Sequence, residues 1–381
     1  MHEPTTPGRP ITLGQPTFGD EELAAVAKVL ESGWVAGQGP LARELEQRFA
    51  HICRADHALM VSSCTAALHL AVEALGAGPG DEVLVADYTF PATGHAVRYT
   101  GADPVFVDVR PDIWTIDPAA AEAAVTSSTV GIIAVDPFGM PADYDELNEL
   151  ARRRGLWLVE DAACAAGSTY KDRPTGALAD VGCFSFHGRK GITSGEGGAI
   201  TTDRDDVAAR ARKLHFFGVE SALDRAGSGD LPVPEFDEIG WNYKLSEIAA
   251  AVLSVQMNRL PTLVAARRRI ADAYAELLGD VEEVTVPVEP ADRRTVWQSY
   301  VLTLAPGVDR GRVAAALRGD GIQCNIGTYA SHVQPVYGRT QACPVSLDIF
   351  RRHLAIPMHA NLTDGQVETV AKAVRAAVTA A

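Results

Sequence analysis

The chain has 381 residues, 47% of them hydrophobic and 22% charged, which fits one large domain with a smaller companion better than a single unit. A formal charge of −15 excludes the broad basic surface of a nucleic-acid binder, yet leaves room for a locally positive pocket that takes a small anion. The cysteines at 53, 64, 164, 183, 324 and 343 form no C-x-x-C pair, and the histidines show no metal-binding spacing, which excludes a disulfide framework or a zinc site of the usual kind.

The opening MHEPTTPGRP lacks the basic and apolar regions of a secretory signal, and no run of about 18 apolar residues follows, so a cytoplasmic chain without a membrane span is expected. Residues 1–18 form an N-terminal arm. DEELAAVAKVLES (20–32) carries apolar residues at helical spacing and stops at Gly33, and 42–53 repeats the pattern. A regular alternation follows. HALMV (57–61) predicts a strand and TAALHLAVEAL (65–75) a helix. DEVLVA (81–86), PVFVDV (104–109) and VGIIAV (130–135) predict strands, with ADYDELNELARRR (142–154) an amphipathic helix. LWLVED (156–161) and VGCFSF (181–186) are further strands, and GGAITTD (197–203) a strand returning beside the latter. The expected fold class is α/β, a mostly parallel sheet between helices. Residues 217–241 predict a long loop. Two helices are expected at 245–260 and 264–279, parted at Pro261. A strand at 299–305 and helices at 310–321 and 363–381 complete the pattern. The large domain is accordingly placed at 19–260 and a smaller C-terminal α+β domain at 261–381.

In such a sheet, ligands gather at the carboxyl ends of the strands. After HALMV, Ser62, Ser63 and Thr65 open a helix whose free N–H groups make an anion site; the plainer alternative is ordinary helix capping. Asp161 ends LWLVED among small residues, either as a buried carboxylate needing a cation or as a cap. Lys190 follows the next strand within FSFHGRKGITSGEGGAITTD (184–203), where an exposed loop lysine is the alternative. Together the three match pyridoxal phosphate (PLP): an anchor for its phosphate, a carboxylate for its ring nitrogen and a lysine for its aldehyde. A dinucleotide site is excluded by order, because GAGPGDEV (76–83) follows a helix and GEGGA (195–199) leads into a strand.

Several stretches carry a family resemblance: SGWVAGQGP (32–40), VSSCTAALHLAVEALGAGPGDEV (61–83), DYTFPATGHAV (87–97), GADPVFVDV (101–109), VEDAACAAGS (159–168), residues 184–203, and GWNYKLSEIAAAV (240–252). In this order they resemble the DegT/DnrJ/EryC1/StrS family, PLP-dependent aminotransferases of fold type I acting on nucleotide-linked keto-sugars. The resemblance implies that Lys190 binds the cofactor and shuttles the proton, and that Asp161 faces the pyridinium nitrogen. It implies that Cys64, Thr65 and Ala66, joined by Ser185, hold the phosphate. Phe90 would stack on the ring, with core packing as the alternative. His187 lies near the lysine, for substrate or for structure. Trp34, Tyr329 and His332 are further substrate-binding candidates, the last two in GIQCNIGTYASHVQPVYGR (321–339), with domain-interface packing as the alternative. Asn242 would reach the cofactor phosphate of a second subunit and so make a composite homodimer, unless it is a loop asparagine satisfied by its own backbone.

Two positions depart from the family pattern. Cys64 stands where the family usually has glycine, and Cys164 stands where a glutamine or histidine usually approaches the cofactor's phenolic oxygen. A thiol is a weaker hydrogen-bond partner. The implied activity moves an amino group from L-glutamate to a dTDP-keto-sugar in amino-deoxysugar formation, as in antibiotic biosynthesis. The G-T-Y-A-x-H pattern favours C4 of a dTDP-4-keto-6-deoxyhexose. A C3 aminotransferase, a cyclitol aminotransferase, a PLP-dependent sugar dehydratase (which resembles these enzymes but carries histidine at the position of Lys190) and a PLP-holding protein without turnover remain as alternatives.

Overall fold

The computed structural model describes residues 10–219, 236, 238–338 and 342–381. Its frame is a seven-stranded sheet of β1 (His57–Val61), β2 (Glu82–Ala86), β3 (Asp103–Val107), β4 (Thr129–Val135), β5 (Trp157–Asp161), β6 (Val181–Ser185) and β7 (Gly198–Thr202). The spatial order is β1-β7-β6-β5-β4-β2-β3. Strand β7 runs antiparallel to both its neighbours, and the pairs from β6 to β3 are parallel. Alternate side chains serve two separate cores. Val83, Val85, Ile133 and Val159 enter one, and Leu84, Ile132, Ala134 and Leu158 enter the other. Burial on both faces explains why these strands read as nearly continuous apolar runs.

The register brings the functional edge together. Val135 pairs with Asp161, Asp161 with Cys183, and Ser185 with Gly198, which in turn pairs with Val61. The carboxyl ends of four strands and the start of β7 therefore meet at one rim.

A second, three-stranded antiparallel sheet joins Val284–Thr285, Tyr300–Leu304 and His353–Ile356. It packs with the helices Arg310–Gly319 and Asp364–Thr379 in a core containing Leu302, Leu317, Leu354 and Val370. The N-terminal arm adheres to this part: Ile11 bridges Ile322, and the Met358 N–H donates to the Leu13 carbonyl at 3.0 Å.

One sequence expectation is overturned. The two helices parted at Pro261 are a single helix, Glu247–Leu278, with Pro261 inside it. Pro261 faces solvent, while Leu260 and Leu263 are buried on either side. The helix supplies Leu253, Met257 and Leu260 to one core and Ile270, Tyr274 and Leu278 to another. Burying such side chains is worth about 2 kcal/mol each, which together outweighs the roughly 3 kcal/mol that an interior proline costs. Position 260/261 therefore lies within one helix that both cores share. By length and composition alone this helix passes for a membrane span, with a mean hydropathy of 1.3 in its best window, but many of its apolar residues enter those two cores.

The loop expected over 217–241 falls mostly outside the described residues. Helices at Ala92–Tyr99, Pro118–Ala124, Asp205–Leu214 and Pro344–Arg352, and a short pairing of Tyr88–Thr89 with Tyr329–Ala330, were not anticipated. All six cysteines are free thiols.

Candidate active site

The strand rim opens onto a cavity of about 320 Å³ lined by Cys64, Thr65, Phe90, Asp161, Cys164, Ser185, His187 and Lys190, eight of the residues singled out in the sequence.

One wall is the start of the helix Cys64–Ala74. Ser63 caps it, its Oγ accepting from the Ala66 N–H at 3.1 Å. Ala66 is thereby engaged and does not line the cavity, whereas Cys64 and Thr65, in the first turn, have no intrahelical acceptor for their amides. Burial, reinforced by Asp161 and Cys183, pushes the Cys64 thiol well up, so it adds no negative charge at the positive end of the helix. Gly198 makes this turn possible. A Cβ there would stand 2.5 Å from the Ser63 carbonyl carbon and 2.7 Å from the Cys64 nitrogen. Ser185 pairs with Gly198 across the strands, and its Oγ accepts from the His187 N–H at 3.4 Å.

Asp161 ends β5 and is 4% exposed. Its Oδ2 accepts from Thr93 Oγ1 at 2.8 Å and its Oδ1 from the Ala163 N–H at 3.2 Å. Burial pushes its carboxyl above the usual range, and Thr93, Ala163 and Lys190 pull it back only in part. Lys190 is half-buried, and its Nζ donates to Cys164 Sγ at 3.1 Å. Burial works against the Lys190 charge, but Cys164 and Asp161 help to outweigh it, and the ammonium is held above its ordinary range. The lysine's backbone is fixed as well: the buried Arg267 donates to the carbonyls of Gly191 at 2.9 Å and Lys190 at 3.4 Å.

The remaining sequence candidates scatter. Phe90 lies at the cavity mouth, 59% exposed, with its ring edge-on to Tyr329 at 6.1 Å. Tyr329 does not line the cavity but is held beside it by pairing with Thr89. His187 lies on the rim, its Nδ1 accepting from the Arg189 N–H at 3.3 Å. His332 is buried away from the cavity: its ring Nδ1 and its backbone N–H bind the two oxygens of Asp87 at 2.7 and 2.6 Å. That is the packing alternative, fixed by a carboxylate with 0% exposure. Trp34 and Asn242 stand on the surface, outside the cavity; Lys244 Nζ donates to Asn242 Oδ1.

Sequence reasoning missed the support around Asp161. Thr93 is its direct donor, and only the unforeseen helix Ala92–Tyr99 brings it there. Beneath Asp161, Glu160 and Asp136 are fully buried and interact electrostatically, and Asp136 Oδ2 and Glu160 Oε1 have no hydrogen-bond partner among the described residues. The alternating strand pattern signals an inward Glu160, but nothing local pairs it with Asp136, whose N–H donates to the Asp161 carbonyl at 3.1 Å.

Asp161 tests the fit of the expected cofactor. It is a buried carboxylate with no ion pair among the described residues, and it lines a cavity also lined by Cys64 and Thr65 at the start of the helix Cys64–Ala74. A protonated ring nitrogen would satisfy Asp161 and a phosphate the free helix amides, with the Lys190 amine on the same cavity. This edge-of-sheet arrangement defines an enzyme that uses pyridoxal phosphate on an α/β fold. The model of the DegT/DnrJ/EryC1/StrS aminotransferase family matches residues 16–375, and the chain belongs to that family of PLP-dependent aminotransferases. It is 35% identical to the spore coat polysaccharide biosynthesis protein SpsC of Bacillus subtilis (strain 168), over 94% of this chain and 95% of the relative. The solved aminotransferase TlmJ from Streptoalloteichus hindustanus shares 33% identity and superposes with a TM-score of 0.91, covering 97% of this chain and 99% of its own. Spr1654 from Streptococcus pneumoniae, solved in PMP and PLP forms, shares 26% identity; its PMP form has a TM-score of 0.91 over 97% and 99% of the two chains.

Proposed function

We propose that the enzyme transfers the amino group of L-glutamate to a nucleotide-linked keto-sugar, at C4 of a dTDP-4-keto-6-deoxyhexose, and works as a homodimer whose Asn242 reaches the cofactor phosphate of the second subunit. The observation that carries the chemistry is the placement of the Lys190 amine and the Asp161 carboxylate on one cavity with the start of the helix Cys64–Ala74. The G-T-Y-A-x-H pattern at 327–332 supports C4.

When bound, the cofactor supplies an aldehyde that takes up the amine and a ring that absorbs the electron pair of the broken C–H bond. The chain supplies the rest. Cys64 and Thr65 present backbone N–H groups and the helix dipole to a phosphate. Asp161, held by Thr93 and Ala163, keeps its charge toward a ring cation. Lys190, freed as an amine, accepts the proton from the substrate carbon and returns it, with Cys164 steering its Nζ. Phe90 covers the mouth as a ring face.

The test incubates the PLP-loaded enzyme with L-glutamate and a panel of 3-keto and 4-keto dTDP-sugars and reads the product by mass and regiochemistry. Amination at C4 supports the proposal. A C3 product moves the position. Turnover of a cyclitol ketone that free dTDP does not inhibit replaces the substrate class. A cofactor spectrum unmoved by L-glutamate removes the activity.

A further inference from the structure

The cavity is acidic for a site that takes anions. Asp136, Asp161 and Glu196 line it, and Arg189 and Lys190 are the only lysine or arginine among the described lining residues. The Lys190 amine is committed to the cofactor, which leaves Arg189. Its backbone is pinned on both sides, the N–H donating to His187 Nδ1 at 3.3 Å and the carbonyl accepting from Gln298 Nε2 at 2.8 Å. Among the described residues its guanidinium has no carboxylate partner, although it stands exposed beside the most reactive group of the site. Arg267, the other arginine that reaches this loop, is spent on the carbonyls of Lys190 and Gly191.

We propose that Arg189 is the anion-binding residue of the substrate pocket, its guanidinium gripping the carboxylate of the amino donor or the diphosphate of the sugar nucleotide. The inference rests on the aminotransferase function proposed above. A guanidinium offers two parallel N–H donors to either group, and no other arginine or uncommitted lysine lines the cavity among the described residues.

The test uses Arg189→Ala and Arg189→Lys in the PLP-loaded enzyme. Three quantities are measured: the cofactor absorbance, the L-glutamate concentration that half-converts that absorbance, and the affinity for free dTDP by calorimetry. Losing a charged hydrogen-bond pair predicts a weakening of roughly 10- to 100-fold in Arg189→Ala, with partial recovery in Arg189→Lys. Weakening confined to L-glutamate assigns the carboxylate, and weakening confined to dTDP assigns the diphosphate. If both constants match the wild type while the spectrum is normal, the inference is overturned and the aminotransferase function stands. Loss of the chromophore in Arg189→Ala alone also overturns it, since the residue then serves the cofactor. A wild-type enzyme that responds to neither ligand sinks both.

Discussion

Lys190 donates from Nζ to Cys164 Sγ at 3.1 Å, so the amine is aimed by a thiol, a weak partner, instead of by an amide or a ring nitrogen. Lys190→Ala is expected to keep the fold, because the side chain is only half-buried and lines a cavity instead of packing in a core. Turnover is expected to fall at least about 10⁴-fold, since covalent capture and proton transfer disappear together. Circular dichroism checks the fold and product mass the turnover. Near-normal turnover would refute the role given to this lysine.

The Thr93–Asp161 bond gives a second prediction. Thr93→Val preserves shape but leaves Asp161 Oδ2, a buried carboxylate oxygen, without its 2.8 Å donor. The cost is about 1–3 kcal/mol in the cofactor-free protein. The Asp161 carboxyl should move further up, and PLP should bind more weakly. Urea unfolding and a PLP titration measure the two effects. An unchanged PLP affinity would mean that Thr93 does not hold the carboxylate for the ring.

What was legible in the chain follows a physical divide. β4, β5 and β6 were readable because strands buried on both faces write uninterrupted apolar runs, and the polar end Asp161 therefore stood out, whereas Ser185 came only from the family resemblance. Lys190 stood out for the opposite reason, as a charge in a glycine-rich stretch with nothing to pack against. Thr93, Asp136 and Arg189 were invisible because their roles depend on neighbours 24 to 109 positions away, set by sheet order and loop path. His332 stayed open in the sequence because a histidine near a resembling motif looks alike whether it meets a ligand or, as in this structure, Asp87.

Pro261 misled through a local rule that packing overrode, and this too is testable. Pro261→Ala restores an N–H inside Glu247–Leu278 at an exposed position. Stability should rise by about 1–3 kcal/mol, less a few tenths for the looser unfolded chain. The urea midpoint reports it. A midpoint that stays or falls would show that the helix is shaped around the proline.

The buried acids set a pH dependence. Burial raises Asp161, Asp136 and Glu160 above the ordinary carboxyl range, and the charge of Asp136 pushes Glu160 further up. Tyr144, Cys53 and Cys183 also face this acid group, and burial pushes all three up, so they stay neutral. The folded protein therefore keeps protons that the unfolded chain has released above about pH 4. Their contribution is full below that pH and declines as pH rises through the folded values, by about 1.4 kcal/mol per pH unit for each proton retained. The buried His69, His215, His353 and His359, whose charge burial disfavours, act with the opposite sign, so the acid group is read as a difference between wild type and Glu160→Gln. In the cofactor-free protein the urea midpoint of the wild type should lose ground to that of Glu160→Gln between acid and neutral pH, and a wild type that gains on the variant would contradict the retained proton.

Gly198 supplies the last prediction. Strand β7 lies against the turn that begins the helix Cys64–Ala74, and the first atoms a new Cβ would meet are backbone: the Ser63 carbonyl carbon at 2.5 Å, the Ser63 oxygen at 2.6 Å and the Cys64 nitrogen at 2.7 Å. No side chain there can swing aside, so Gly198→Ala must move the strand or the turn, at about 1–3 kcal/mol. Moving the turn displaces the Cys64 and Thr65 amides, while Asp161 and Lys190, held by Thr93 and Cys164, stay in place. The variant should therefore lose affinity for PLP much more than for pyridoxal, which lacks the phosphate. Paired titrations with the two vitamers read that difference directly, and equal losses for both would place the phosphate somewhere other than the start of this helix.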